Sequence, residues 1–223
     1  RKPITGITLL SDIRSQQTFN EFLSAFSDED IYQKTGCPLI SQYVLPRLYY
    51  FRKKQAELFE KSKFFSDSKS FLFELLTGEW VTDISTAAAT QLFNTQSLQW
   101  DQDILSRLDL SPGQFPKVED GTTYMASLKK ELGAELGLKK NVKVVLGIFD
   151  GAALAVALGG LEPGVGIINI GTTAMLRVPG RYPVFDKNSN KRIQAYALRN
   201  DIFLNGGALN NASLTLDWMR TIL

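Results

Sequence analysis

The spacing of apolar positions along this chain changes period several times, and each change marks an expected element. Pro3 to Leu10 is short and rich in Ile, Thr and Leu, which predicts a strand. The polar stretch SDIRSQQ follows and leads into a helix ending near Phe26. Asp28 to Asp30 reads as the next helix start. From Pro46 to about Ser62 the apolar residues fall at helical spacing with charged residues on the outer face. SKSFLFELLTG predicts a short helix stopped by Gly78. VTDISTAAATQLFN is small and β-branched and fits helix or loop equally. Asp101 to Leu108 predicts a helix and SPGQFP a loop. A helix is expected over 124–136, then a loop, then a strand over 142–149 covered on both faces, because nearly every position of 144–149 is apolar. Gly151 to Leu158 predicts a helix of small residues. Beyond it, GVGIINIGTTAMLRVPG reads as two strands joined at a tight GTT turn. KNSN is a loop, IQAYALRNDIFLNGG a second strand pair, and NNASLTLDWMRTIL a helix with Leu214, Trp218 and Ile222 on one face. The change from helices to hairpins near Gly159–Gly160 is the expected domain boundary, dividing the chain into 1–159 and 160–223.

Composition narrows the chemistry. The chain has 223 residues, 44% hydrophobic and 22% charged, with a formal net charge of +2. This is a soluble globular composition. Its interspersed charges predict neither a nucleic-acid nor a membrane surface. Lys129–Lys130 and Lys139–Lys140 read as solvated faces. There is one cysteine, Cys37, and no histidine. Those counts exclude an intrachain disulfide, a Cys–His zinc site and any Ser-His-Asp arrangement within the chain. They suit a reducing, cytoplasmic setting. Proton transfer would fall to carboxylates, lysines or tyrosines.

Asp150 is the first candidate for such work. It closes a strand-like run and opens a helix, and ligands gather at the carboxyl ends of strands in open α/β sheets. The positive end of the helix dipole favours an ionised carboxylate there, and Gly151 leaves room beside it. The same placement also describes an ordinary helix cap. Ile170 to Leu176 is the second candidate: Gly171 would let a phosphate approach the backbone, and Thr172 and Thr173 offer hydroxyls. GTT recurs at 121–123 in a loop context, and an ordinary hairpin turn explains both. Asp12 and Arg14 form a third pair, suited to a polyol or to a surface ion pair. Neither a G-x-x-x-x-G-K-[ST] loop nor a G-x-G-x-x-G fingerprint is present.

Taken in order, ITLLSDIRSQQ, TGCPLISQYVLPRLYYFRK, LLTGEWVTDISTAAATQLFNTQSLQWD, GIFDGAALAVALGG, NIGTTAMLR and GGALNNASLTLDW resemble successive segments of the FGGY family of carbohydrate kinases. The GG...NN of the last segment is most similar to gluconate kinases. The resemblance implies an α/β fold of the actin-like ATPase (ribonuclease H-like) class, with two domains that are both incomplete in this chain. It implies ATP-dependent phosphorylation of a hydroxyl of a sugar, sugar acid or polyol, with gluconate or xylulose favoured. ATP and Mg²⁺ are the implied cofactors, a small carbohydrate the implied substrate, and a homodimer is compatible with it.

By the same resemblance Asp150 would be the general base, lying near magnesium through water. Gly151 would line the sugar pocket where other members place a polar residue. Gly171, Thr172 and Thr173 would hold phosphates, and Ser213 and Asp217 would fall near the nucleotide. Leu10 sits where several members have a tryptophan. Asp12, Gln42 or its neighbour Tyr43, and Met175 fall at further sugar-pocket positions. The family's opening phosphate hairpin would precede Arg1 and its adenine-binding segment would follow Leu223. Residues 1–223 alone are therefore expected to be inactive and marginal in fold. Two rivals stand beside this reading: a non-catalytic sugar or nucleotide sensor or scaffold of the same fold, and an α/β domain in which Asp150 merely caps a helix.

Overall fold

The computed structural model describes residues 1–138, 141–162, 164–188 and 190–223. Lys139 and Lys140 of the expected solvated face lie outside the described residues, as does Ser189 of the expected KNSN loop. The described chain is a helical layer followed by an antiparallel sheet. After a 3₁₀ turn at Arg14–Thr18 come α1 (Phe19–Ala25), α2 (Asp28–Thr35), α3 (Val44–Lys54), α4 (Ala56–Lys61) and α5 (Ser68–Thr77). Next are β1 (Val81–Asp83), α6 (Ile84–Ala88), β2 (Phe93–Asn94), β3 (Gln99–Trp100) and α7 (Gln102–Ser106). β4 (Lys117–Glu119), β5 (Met125–Ser127), α8 (Lys130–Glu135) and β6 (Lys143–Val145) lead to α9 (Asp150–Ala157). β7 (Ile167–Ile170), β8 (Ala174–Gly180), β9 (Gln194–Arg199), β10 (Ile202–Leu209) and α10 (Ala212–Ile222) complete the chain.

Local capping chemistry explains the helix starts. Ser27, Asp67 and Asp101 each accept a bond from the backbone N–H three residues on, at Asp30, Ser70 and Ile104, which satisfies an orphan donor of α2, α5 and α7. α5 stops at Gly78 as expected. The expected helix 46–62 is two helices, because the backbone leaves the helical region at Gln55.

β7, β8, β10 and β9 form one antiparallel sheet in that order. β1 pairs with β4 in parallel, and β2–β3 and β5–β6 are antiparallel ribbons. The largest apolar cluster joins Phe22, Phe26, Leu45 and Tyr49 to Leu105 and Phe115. A second carries Cys37, Ile84, Ala87 and Phe93 across to Tyr196, Ala197 and Phe203. The helical layer and the late sheet therefore share a core. Polar bonds reinforce the seam: Ala195 N–H donates to Gly36 O at 2.9 Å, and the Tyr32 hydroxyl donates to Ile193 O at 2.8 Å while accepting from Asp186 N–H.

Three expectations are corrected. Pro3 to Leu10 is not a strand. Strand backbone needs a partner for its N–H and C=O groups, and no described segment pairs with it, so Ile4, Ile7, Leu9 and Leu10 stay exposed. The expected helix 124–136 begins as a strand, since Met125 points outward and Ala126 inward, a period of two; only Lys130–Glu135 is helical. The expected strand 142–149 is only Lys143–Val145, and it is covered on one side: Val145 is 57% exposed while Leu146 is 4% exposed. It belongs to a two-stranded ribbon packed on Phe73 and Val81, not to the middle of a sheet.

Candidate functional site

The site is organised around the start of α9. Phe149 occupies the cap position and offers no side-chain cap. Asp150 is the first helical residue, exposed, with Oδ1 accepting from Gly151 N–H at 2.6 Å. A network from the helical layer holds this junction. Asp83, fully buried, caps α6 by accepting from the backbone N–H groups of Ser85 and Thr86. It also accepts from the hydroxyls of both and from the Lys69 ammonium. The Ser85 Oγ in turn accepts from Phe149 N–H at 3.1 Å. Gly121 is forced by the same crowding: a Cβ there would collide with Gly147 O and lie 2.7 Å from the Asp83 Cβ. The T-D-x-S segment thus fixes the backbone that presents Asp150.

Above α9 lies a residue that sequence reading did not single out. Arg177 sits in β8, between Ile167 of β7 and Gly206 of β10 in register. It is 9% exposed, and its Nε is sealed from solvent without a hydrogen-bond partner. A Cβ on Gly151 would stand 2.7 Å from Arg177 Nη2 and 2.6 Å from the Phe149 ring. The room that Gly151 leaves is therefore taken by the guanidinium and that ring. Burial pushes the guanidinium below its ordinary pKa, and the charges of Tyr196 and Asp150 oppose the shift. An arginine in an otherwise apolar strand, AMLRV, was the signal available in the sequence.

Tyr43, at the start of α3, enters the same neighbourhood. Its hydroxyl meets that of Tyr196 and accepts from Gln194 Nε2 at 3.1 Å. The Tyr196 ring lies edge-on to Phe149, centroids 5.9 Å apart. Burial raises the pKa of both phenols. Gln194, Tyr43 and Tyr196 thus lead through the Phe149 ring to Gly151, Arg177 and Asp150. Gln42 faces locally and accepts from the Ser41 hydroxyl at 3.2 Å. Met175 lies two residues before Arg177 on β8, half-buried and paired with Asn169 and Ala208. Leu10 is exposed, and its carbonyl accepts from Arg47. Asp12 makes its polar contacts with Arg14, at 2.6–3.0 Å. Those bonds, the Arg14 side chain first, hold its carboxyl at about 2.

The second predicted cluster also comes together. The turn between β7 and β8 contains Gly171, Thr172 and Thr173, and a Cβ on Gly171 would meet Thr173 O at 3.8 Å, an ordinary contact. Ser213, at the start of α10, spends its amide and its hydroxyl (2.6 Å) on Gly171 O, and Ala212 N–H donates to Thr172 O at 2.8 Å. Asp217 lies one turn further along α10 and faces solvent. Among the described residues no three acidic, cysteine or histidine side chains cluster as a metal cage. No helix of the described residues is long and apolar enough to cross a membrane.

Comparison with known proteins places this geometry. The model for the FGGY family of carbohydrate kinases, N-terminal domain, matches residues 1–157. The gluconokinase of Bacillus subtilis (strain 168) is 26% identical over 219 residues, covering 98% of this chain and 42% of that protein. Among solved structures, a ligand-bound xylulose kinase from Lactobacillus acidophilus superposes with a TM-score of 0.90 at 26% identity, covering 97% of this chain and 44% of that one. A gluconate kinase from the same organism gives a TM-score of 0.89 with the same identity and coverage. The chain spans a little over two fifths of the length of these relatives. With the family model covering well over half of its residues, this chain belongs to the FGGY family of carbohydrate kinases.

Proposed function

We propose that the protein carrying this chain transfers the γ-phosphoryl group of ATP to a hydroxyl of a sugar, sugar acid or polyol, with gluconate and xylulose the first substrates to test. The observation that carries the reading is the placement of Asp150. It is an exposed carboxylate on the first turn of α9, free of any ion pair among the described residues, beside the Arg177–Tyr196–Tyr43 group. From there it accepts the proton of the substrate hydroxyl as that oxygen attacks phosphorus. Tyr43, Gln42, Asp12, Leu10 and Met175 line or approach the sugar side, and Gly151 lets the Arg177 guanidinium come close to α9 beside it. Gly171, Thr172 and Thr173 receive phosphate oxygens at a turn that Ser213 holds in shape, and Asp217 lies towards the nucleotide. Asp150 would be the residue that holds magnesium, and the ion, when bound, would supply neutralisation of phosphate charge. The two domains are 1–159 and 160–223, with the substrate between them, and the protein works in the cytoplasm.

The test is a phosphorylation assay on the complete gene product with ATP, Mg²⁺ and a panel of polyols, ketoses and aldonates. Loss of a general base lowers turnover by about 100- to 10,000-fold, so Asp150→Asn is expected to fall in that range with its melting temperature preserved. Turnover that survives the substitution would remove Asp150 from the reaction. Sugar binding without any phosphorylation would favour the sensor.

A further inference from the structure

An arginine buried without a partner is costly. Removing a charge from water carries a penalty of several kcal/mol unless an opposite charge or good hydrogen bonds replace the solvent. Arg177 has no ion pair and no side-chain hydrogen bond among the described residues: Asp150 and Tyr196 act on it only through space. The residue lies on a strand paired on both sides, and its cross-strand neighbours are the apolar Ile167 and the side-chain-free Gly206, neither of which can satisfy it. Gly151 is bare where the guanidinium comes closest to α9. Only Nε is fully sealed, so the terminal nitrogens keep some exposure. A planar, permanently charged fork fixed in this way, with its acceptor missing, fits a carboxylate, which it can bind through two parallel hydrogen bonds. A neutral polyol or ketose would leave the charge uncompensated. An acidic substrate, for its part, needs a cation here, because it must lie close to the negative charge of Asp150.

We infer that Arg177 binds the carboxylate of the substrate, and that the acceptor is a sugar acid of the aldonate class rather than a neutral ketose or polyol. This rests on the proposed kinase site for its location, and it adds the group that selects the substrate. Gln194 and Tyr43, hydrogen-bonded to each other beside Tyr196, are the neighbouring polar groups of the proposed site.

The experiment compares D-gluconate with D-glucitol, which differ by the carboxylate, in the complete protein. Calorimetric binding without ATP is one readout, and kcat/KM with ATP is the other. The wild type is expected to prefer gluconate in both. Arg177→Met is expected to lower the gluconate-to-glucitol ratio by on the order of 100-fold, the scale of a desolvated charge pair, and Arg177→Lys by less, since it keeps the charge without the fork. The melting temperature of Arg177→Met should hold or rise, because an unpaired buried charge is replaced by an apolar side chain. Equal binding of the two probes by the wild type would overturn the inference. So would a ratio unmoved by Arg177→Met, or a fall in melting temperature with both probes affected alike. Arg177-dependent gluconate binding without turnover would uphold it and overturn the kinase reading. Turnover of D-xylulose and D-glucitol with no preference for gluconate would do the reverse.

Discussion

Asp83 and Asp150 are both aspartates at helix starts, yet their surroundings separate them completely. Asp83 is sealed and accepts bonds from two amides, two hydroxyls and the Lys69 ammonium. Asp150 is exposed and bonds only the next amide. Asp83→Ala leaves those buried donors unsatisfied, and we expect it to cost about 3 kcal/mol in urea unfolding, since Lys69 keeps partial access to water. Ser85→Ala is milder for stability, about 2 kcal/mol for two lost bonds at about 1 kcal/mol each, one to Asp83 and one from Phe149 N–H, which it releases. A small displacement of a reacting group can cost about 100-fold in rate, so a lower kcat with an unchanged KM for ATP is expected. Asp12 gives a pH dependence. Arg14 depresses its folded pKa from 3.8 to about 2, so its contribution to stability is present above pH 4 and is lost as pH falls from 4 towards 2. Acid unfolding followed by circular dichroism should be flatter over that window in Asp12→Asn.

Elements differed in how far the sequence revealed them. α2, α5 and α7 were legible because their causes are local: a Ser or Asp cap and a helical spacing of apolar residues. The β7–β8 and β9–β10 hairpins were legible for the same reason, each being a contiguous pair of strands about a short connection. Residues 3–10, 124–127 and 142–149 were misjudged because strand existence and burial depend on partners distant in sequence. Within the proposed site, Asp150, Gly171, Thr172 and Tyr43 were named from ordered motifs as candidates. Arg177, Gln194 and Tyr196 could not, since only strand register shows that they face α9 and α3. The contact between α3 and β9 is testable at this scale. Burial raises the folded pKa of Tyr43 and Tyr196, so the folded form holds these protons longer than the unfolded chain. Stability is then full below pH 10 and falls as pH rises beyond it, when the unfolded phenols ionise first. Tyr196→Phe should remove part of that alkaline loss in unfolding measurements at pH 9 to 11.

Besides the exposed residues of 3–10, apolar side chains lie open on α10 and on β7. Leu214, Trp218 and Ile222 form the expected stripe of α10, and Trp218 is 61% exposed. Ile168 and Ile170 lie exposed on β7, an edge of the four-stranded sheet. Large exposed apolar patches and unpaired edges favour association. Residues 1–223 expressed by themselves should therefore bind a hydrophobic dye and self-associate with rising concentration in light scattering, and Ile168→Lys with Trp218→Glu should reduce both. The seam at Gly36–Ala195 and Tyr32–Ile193 carries a different implication. A cut at Gly159–Gly160 severs one peptide bond but leaves a shared core and its cross-links intact. The two pieces, unstable apart, should then reassemble when produced together, and their recovery as a complex would make this chain a split reporter whose signal depends on the fit between β9 and the helices beneath it.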